Sequence, residues 1–514
     1  MVVECGLCCV NNRPADAGPF ARFGGITPKV QSFDMFNLPA EFLDRRQFLS
    51  FSGHGLGGVA LLSLLARDGL LAGGVPSESG DPPPHHKPRA RRAIHIYACG
   101  GVSQVDTFDY KPELLRLHGK SLNADERPDV FFGQVGLLRK PDWEFQQHGE
   151  CGKWVSSLFP HLAGEVDRMA FIHSMFAETS NHTPGTFQAN TGFRLNGFPT
   201  MGAWLSYGLG NETEDLPTYV VIPDNRGLPA GGSINWSNGF LPARHQGVVV
   251  KSRGTAIADL NPAKPLSAET ELASRKLLAE VNRKHFDDRG HDDLAARIRA
   301  YELAARMQLA VPEVAALDKE TEATQEAYGL DQPKTVDFGR SCLMARRLLE
   351  RGVRFVQLFA GGAFGSPRIN WDGHENMREN HGQEAGRCDQ PLAALLSDLN
   401  QRGMLDDTLV LFTSEFGRTP FAQSADGVLG SGRDHNQAGF TTWMSGGGVK
   451  GGVSYGATDD VGYRAVDKRT SWYDFHATVL HLLGINHERL TYYHNGIRRR
   501  LTNVHGEILQ EILV

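Results

Sequence analysis

Residues 405–418 read LDDTLVLFTSEFGR. The apolar centre, residues 408–412, has the length of one buried strand and is rich in residue types that pack well on a pleated surface. It stops abruptly at Ser414, Glu415 and Arg418, so a core strand delivers polar side chains at its carboxyl end. Runs of the same kind recur at residues 93–98 (AIHIYA), 169–173, 218–222 and 355–359. Helical stretches separate them. The clearest is 389–402, where Leu392, Leu395, Leu396 and Leu399 follow the spacing of one helix face. Strands alternating with helices imply an α/β fold with a mostly parallel central sheet and helices on both faces. A charged helical region over 267–310 lies between the early and late strands. Its Leu277, Leu278, Val281, Leu294, Ile298 and Leu303 read as the apolar side of a helical insertion packed on the sheet.

In a parallel sheet, ligands bind outside the carboxyl ends of the strands, so the residues following each apolar run carry the functional information. The first run is followed by a Gly-Gly turn and then Ser103, Asp106 and Asp109. After residues 355–359 come Asp372 and His374, with His381 beyond. Glu415 and Arg418 follow residues 408–412, and Asp434 and His435 stand just before another apolar run, 440–444. Carboxylates and imidazoles arriving from several strand ends are what one or two divalent ions of zinc, manganese or calcium require. Asp106, Asp109, Asp372, His374, Glu415, Asp434 and His435 are therefore the expected metal ligands, and Arg418 an anion clamp. Residues 446–452 (GGGVKGG) lack the order of a phosphate loop and read as a tight connection, although Lys450 there could reach a ligand. His173, His476 and His481 read as structural.

The 514 residues include 53 basic and 59 acidic ones, a net charge of −6, and no basic stripe suited to nucleic acid or to a membrane surface. Of seven cysteines, Cys99, Cys151, Cys342 and Cys388 are scattered, which excludes a zinc ribbon; disulfides are allowed, but free buried thiols are the plainer reading. Asp44 to Leu49 reads DRRQFL and precedes a short, glycine-diluted apolar run. Residues 44–76 are thus expected to be a twin-arginine signal read by the twin-arginine translocon, with 1–43 an upstream extension and Met35 the preferred start. Residues 77–92 are a Pro-rich linker, and 93–514 the folded domain. The expected location is the periplasm or beyond, with no stable membrane span once the leader is removed.

Two stretches resemble sulfatase motifs. Residues 405–418 look like the sulfatase strand that ends in T-S-D-H-G, and HTPGTFQANTG (182–192) can be laid on the nucleophile signature C-T-P-S-R-x-x-x-x-T-G. More broadly, GGVSQVDTFDYKP, MGAWLSYGLG, WDGH, SEFGRTP, GRDHN and GGGVKGGVSYGATD, in that order, resemble the domain-of-unknown-function family numbered 1501, a sulfatase-like group of the alkaline-phosphatase superfamily. The resemblance implies an alkaline-phosphatase-like fold and a metal-dependent hydrolase of sulfate or phosphate esters, small-molecule or glycan. It also implies a departure. His182 and Thr186 occupy the positions of the formylglycine precursor and its arginine, and Phe416 replaces an imidazole, so a formylglycine mechanism is excluded. His182 is then either a metal ligand or a neighbour of a nucleophilic Ser180 or Thr183. A non-enzymatic glycan- or anion-binding protein on the same fold is the alternative.

Overall fold

The sheet predicted from five apolar runs is present, with eight strands among the described residues. In chain order they and the adjoining hairpin are β1 (Arg92–Ala98), β2 (Met169–Met175), β3 (Tyr219–Ile222), β4 (Val248–Val249), β5 (Phe355–Ala360), β6 (Thr408–Thr413), β7 (Gly417–Ala422), β8 (Arg433–Asn436), β9 (Phe440–Ser445) and β10 (Val453–Tyr455). The computed structural model describes residues 84–514 apart from 123–127, 129, 258–266, 290, 291 and 366. The sheet order is β10-β2-β9-β6-β1-β5-β3-β4, while β7 and β8 form a separate antiparallel ribbon. β1 is central and parallel to both neighbours, with Ala93 opposite Phe355 and Leu409. Within the large sheet β9 runs antiparallel to β6 and β2, while the other pairings are parallel.

The helices that matter for the site are α1 (His182–Thr191), α2 (Met201–Leu209), α3 (Ala268–Arg289), α4 (Asp292–Ala315), α5 (Val336–Glu350), α6 (Met377–Gln401) and α7 (Trp472–Leu482). Strand alternation divides the core in two. Ile94, Ile96 and Ala98 face the helices α5 and α6, whereas Ala93 and Tyr97 belong to the layer with Trp204 and Leu205 of α2 and Phe475 and Val479 of α7. Leu392, Leu395, Leu396 and Leu399 are buried as their spacing requires, each contributing roughly 1.5–3 kcal/mol relative to exposure. Their helix is longer than the predicted 389–402. It continues through Pro391, and Asp389 caps the backbone N–H groups of His161 and Leu162 instead of starting its own helix.

The helical insertion departs from the sequence reading in one respect. Leu303 packs against the core, but Leu277, Leu278 and Val281 of α3 are more than half exposed, so that helix does not lie on the sheet. The 446–452 connection turns through left-handed Gly446, Gly447 and Gly448 and is tied to Leu405, at the end of β6 opposite to Glu415. Lys450 is therefore at the wrong edge for the site. The cysteines from Cys99 onward are free thiols, and only Cys151 is exposed. The proposed leader and its translocon contact fall outside the described residues. Residues 84–91 are described: Arg89 and Ala90 donate backbone N–H bonds to Leu482 O at the end of α7. Among the described residues no helix is long and apolar enough to cross a membrane.

His95 of β1 and His476 of α7 are buried in the layer beneath the site, and burial pushes their pKa values down to about 3 and about 4. Both stay neutral in the folded chain, whereas unfolding frees them to take up protons near pH 6.5. Their contribution is fully present above that pH and is lost as pH falls towards 4, at about 1.4 kcal/mol per unit for each residue. Urea midpoints measured between pH 7.5 and 5 should show this slope, and His95→Phe combined with His476→Leu should flatten it. An unchanged slope in the double variant would refute the assignment.

Candidate metal centre

Four chain segments meet at the carboxyl edge of the sheet. After β2 the chain reaches Asn181, whose side chain accepts the Thr183 N–H at 3.2 Å and so starts α1 with His182 in its first turn. After β5 a loop brings Asp372 and His374. It is held close to the turn after β1, where a Cβ on Gly100 (φ +115°) would lie 2.6 Å from Asp372 N; only glycine allows this approach. After β6 come Ser414 and Glu415. The β7–β8 ribbon pairs Arg418 directly with His435.

Asp372 Oδ1 is the meeting point. It lies 2.7 Å from His374 Nε2, 3.2 Å from His182 Nε2, 3.3 Å from His435 Nε2 and 2.7 Å from Arg418 Nη2. One potential ligand atom from each of His182, Asp372, His374 and His435 falls within 4.8 Å of the others. The other nitrogen of each imidazole is already committed. His182 Nδ1 is 2.6 Å from Glu415 Oε1, His435 Nδ1 is 2.5 Å from Ser180 O, and His374 Nδ1 contacts Gln423 Oε1. A carbonyl, an amide oxygen and an ionised carboxylate can only accept, so each Nδ1 carries the proton and donates it. In a neutral imidazole Nε2 is then a bare lone pair. Lone pairs aimed at one carboxylate oxygen repel one another until a cation sits among them, and outer partners that fix the Nδ1 tautomer are the usual companions of histidine metal ligands. His182 Nε2 is buried without an aligned hydrogen bond, as a waiting ligand atom would be.

At Asp372 burial opposes the charge, but the Arg418 cation first, and then any imidazole that carries a proton on Nε2, outweigh it and hold the carboxyl well below the ordinary range. Burial, reinforced by the Arg418 cation, pushes His435 well below the usual imidazole value, and burial also lowers His374. For His182 burial acts in the same direction, yet the carboxylates of Asp372 and Glu415 prevail and its pKa is raised.

The remaining sequence candidates lie elsewhere. Glu415, fully buried, accepts from Gly100 N at 2.8 Å and Tyr97 Oη at 3.1 Å as well as from His182, so it supports a ligand and does not point into the cluster. Asp106 is drawn away by Arg433, 2.7 Å distant and equally buried. Asp109 pairs with Lys111 at 3.2 Å and accepts from Thr458. Asp434 accepts the backbone N–H groups of His435 and Phe132. Arg418 does not have the geometry of an anion clamp: it is fully buried, and its donors go to the carbonyls of Gly100, Gly101, Trp371 and Arg433 and to Asp372. Ser180 enters through its carbonyl, and Thr183 is exposed. Gln423 went unnoticed in the sequence, where nothing distinguishes it. Its only signal would have been its place in β7's outgoing loop, beside the ribbon that carries His435.

No curated protein matches the chain. Solved structures similar to it include the lipoteichoic acid synthase of Listeria monocytogenes (10% identity over 77% of this chain and 73% of that one, TM-score 0.35). A protein in the alkaline phosphatase superfamily from Vibrio parahaemolyticus is 11% identical over 83% of this chain and 75% of that one, with a TM-score of 0.34. The phosphonate monoester hydrolase of Silicibacter pomeroyi is 14% identical over 63% and 68%, with a TM-score of 0.30. The family described as protein of unknown function DUF1501 matches residues 90–513, a span that takes in the whole central sheet and His182, Asp372, His374 and His435. The chain therefore belongs to the DUF1501 family.

Proposed function

We propose that this chain is a divalent-metal-dependent hydrolase of sulfate or phosphate esters that uses water, and not a side chain, as its nucleophile. The observation that carries the reading is the convergence of three imidazole Nε2 atoms on Asp372 Oδ1, each Nδ1 held by an acceptor. His182, Asp372, His374 and His435 would hold a single ion. A nitrogen-rich set of four suits zinc, whereas calcium favours six to eight oxygens. A divalent ion bound there supplies Lewis acidity towards an ester oxygen and makes water more acidic.

The chain's own groups have separate tasks. Glu415 fixes the ring of His182 and Ser180 O that of His435, while Arg418 offsets the charge of Asp372. The hydrogen bonds of Ser180 and Thr183 run through the backbone, and neither hydroxyl is bonded to an imidazole or carboxylate among the described residues that could take its proton, so neither is supported as a nucleophile. The same proposal places the working enzyme outside the cytoplasm, on the strength of Arg45 and Arg46 ahead of a short apolar run.

Calorimetric titration of the metal-stripped protein should show one zinc per chain, and His374→Ala or Asp372→Asn should weaken it by at least ~100-fold. The loaded protein should turn over one of 4-nitrophenyl sulfate, 4-nitrophenyl phosphate or bis(4-nitrophenyl) phosphate, and lose that activity in the same variants. Failure of the wild-type chain to bind zinc would sink the proposal; zinc binding without turnover of any ester would favour an anion-binding protein.

Proton release gives a second check. Because the pKa of His182 is raised, its cationic form persists to higher pH than in a free imidazole, and a ligand nitrogen must lose its proton on metal binding. Zinc affinity should therefore rise with pH until His182 is neutral and then level off. Titrations at pH 6.5 in buffers of different ionisation enthalpy should give more than about half a proton released per zinc. Glu415→Gln, which removes one source of the raised pKa, should lower that number.

A further inference from the structure

Three phenyl rings stand against the three imidazoles. Phe131 lies 4.9 Å from the His435 ring, Phe132 lies 5.0 Å from the His374 ring and Phe364 lies 4.4 Å from the His182 ring, centroid to centroid. Phe131 and Phe132 meet edge to face at 4.9 Å, yet 42% and 52% of their surfaces remain exposed. Two adjacent phenyls in water are unfavourable unless something covers them. Their position is fixed by the chain and not by their own packing. Phe132 N–H donates at 2.9 Å to Oδ2 of fully buried Asp434, the residue next to His435, and Gly133 N–H closes the turn onto Val130 O.

We propose that Phe131 and Phe132 are specificity-determining residues that receive the organic group of the ester, and that they select an apolar, ring-bearing group over a carbohydrate. The inference rests on the hydrolase reading above. The rim is continuous with the site, since the rings that would touch the organic group also touch the imidazoles that would face the reacting ester. Its chemistry decides the class. All three rings are phenylalanine, which offers flat apolar surface without the hydroxyl of tyrosine or the indole N–H of tryptophan. A sugar ring needs partners for its hydroxyls, and these rings supply none. An aryl or cycloalkyl group needs only the area.

The test uses phosphonates, whose P–C bond is not an ester and is not hydrolysed. Calorimetry on the zinc-saturated protein compares phenylphosphonate, methylphosphonate and glucose 6-sulfate. Phenylphosphonate should bind about tenfold more tightly than methylphosphonate, the effect of covering one aromatic face. The ratio should fall towards one in Phe131→Ala/Phe132→Ala, with thermal melting confirming that the variant folds; Phe131→Leu/Phe132→Leu, which keeps apolar volume without the flat rings, should lie between. Equal affinity for the two phosphonates, a preference that survives the double alanine variant, or tightest binding of glucose 6-sulfate would each overturn the inference while leaving the hydrolase reading in place. If neither the phosphonates nor glucose 6-sulfate binds, the hydrolase reading fails and takes the inference with it.

Discussion

A single carboxylate oxygen, Asp372 Oδ1, lies within 3.3 Å of three imidazole nitrogens and a guanidinium, and most of this edge of the molecule is arranged to keep it there. A buried carboxylate is costly unless it is paired, and Arg418 supplies the pairing. The pairing holds only if the guanidinium cannot swing away. It is tied to carbonyls of the turn after β1 and to Arg433 O on the ribbon, so the central strand and the ribbon together fix the charge that fixes Asp372. Gly100 is part of the same constraint, because any side chain there would push the Asp372 loop off the turn.

The imidazoles are keyed from three directions, with acceptors of different charge. His182 faces a carboxylate, which favours its cation; His374 and His435 face an amide and a peptide oxygen, which orient the rings without adding charge. The difference bears on the departure from the T-S-D-H-G pattern. Where that pattern has an imidazole, Phe416 is fully buried and packs 5.1 Å from the His182 ring and 4.6 Å from the His435 ring. The position has become a wall. His182, which replaces the nucleophile in the resemblance, supplies an imidazole from the first turn of α1 instead.

The inner strands of the sheet were legible because they are buried on both faces and read as unbroken apolar runs, residues 355–359 and 408–412 differing from β5 and β6 by a single terminal residue, whereas the short, part-exposed edge strands β4 and β10 were not. Asp372, His374 and His435 were legible because chain order places them just past strand ends. Asp106 and Asp109 satisfied the same rule and still stand apart from the cluster. Arg433, which captures Asp106, is 327 residues further along the chain, and no local pattern reveals such a pairing. Ser180 was noticed for a hydroxyl but serves through its carbonyl, a group every residue has. In α3 the apolar spacing was real, but helical periodicity says only that a face exists and not what covers it; Leu277, Leu278 and Val281 face solvent.

The consumption of Arg418 also has a consequence for the order of events under the proposed function. A guanidinium whose donors already go to four carbonyls and a carboxylate cannot turn to grip a sulfate or phosphate group without leaving those acceptors buried and unpaired, at a cost of roughly 1–3 kcal/mol for each. Asp372 meanwhile presents negative charge towards the same space, which repels an anion. The cluster without an ion is thus a poor anion site and a good cation site. On this reading the cation binds first and the ester second, so the arrangement that fixes Asp372 also sets the sequence of binding.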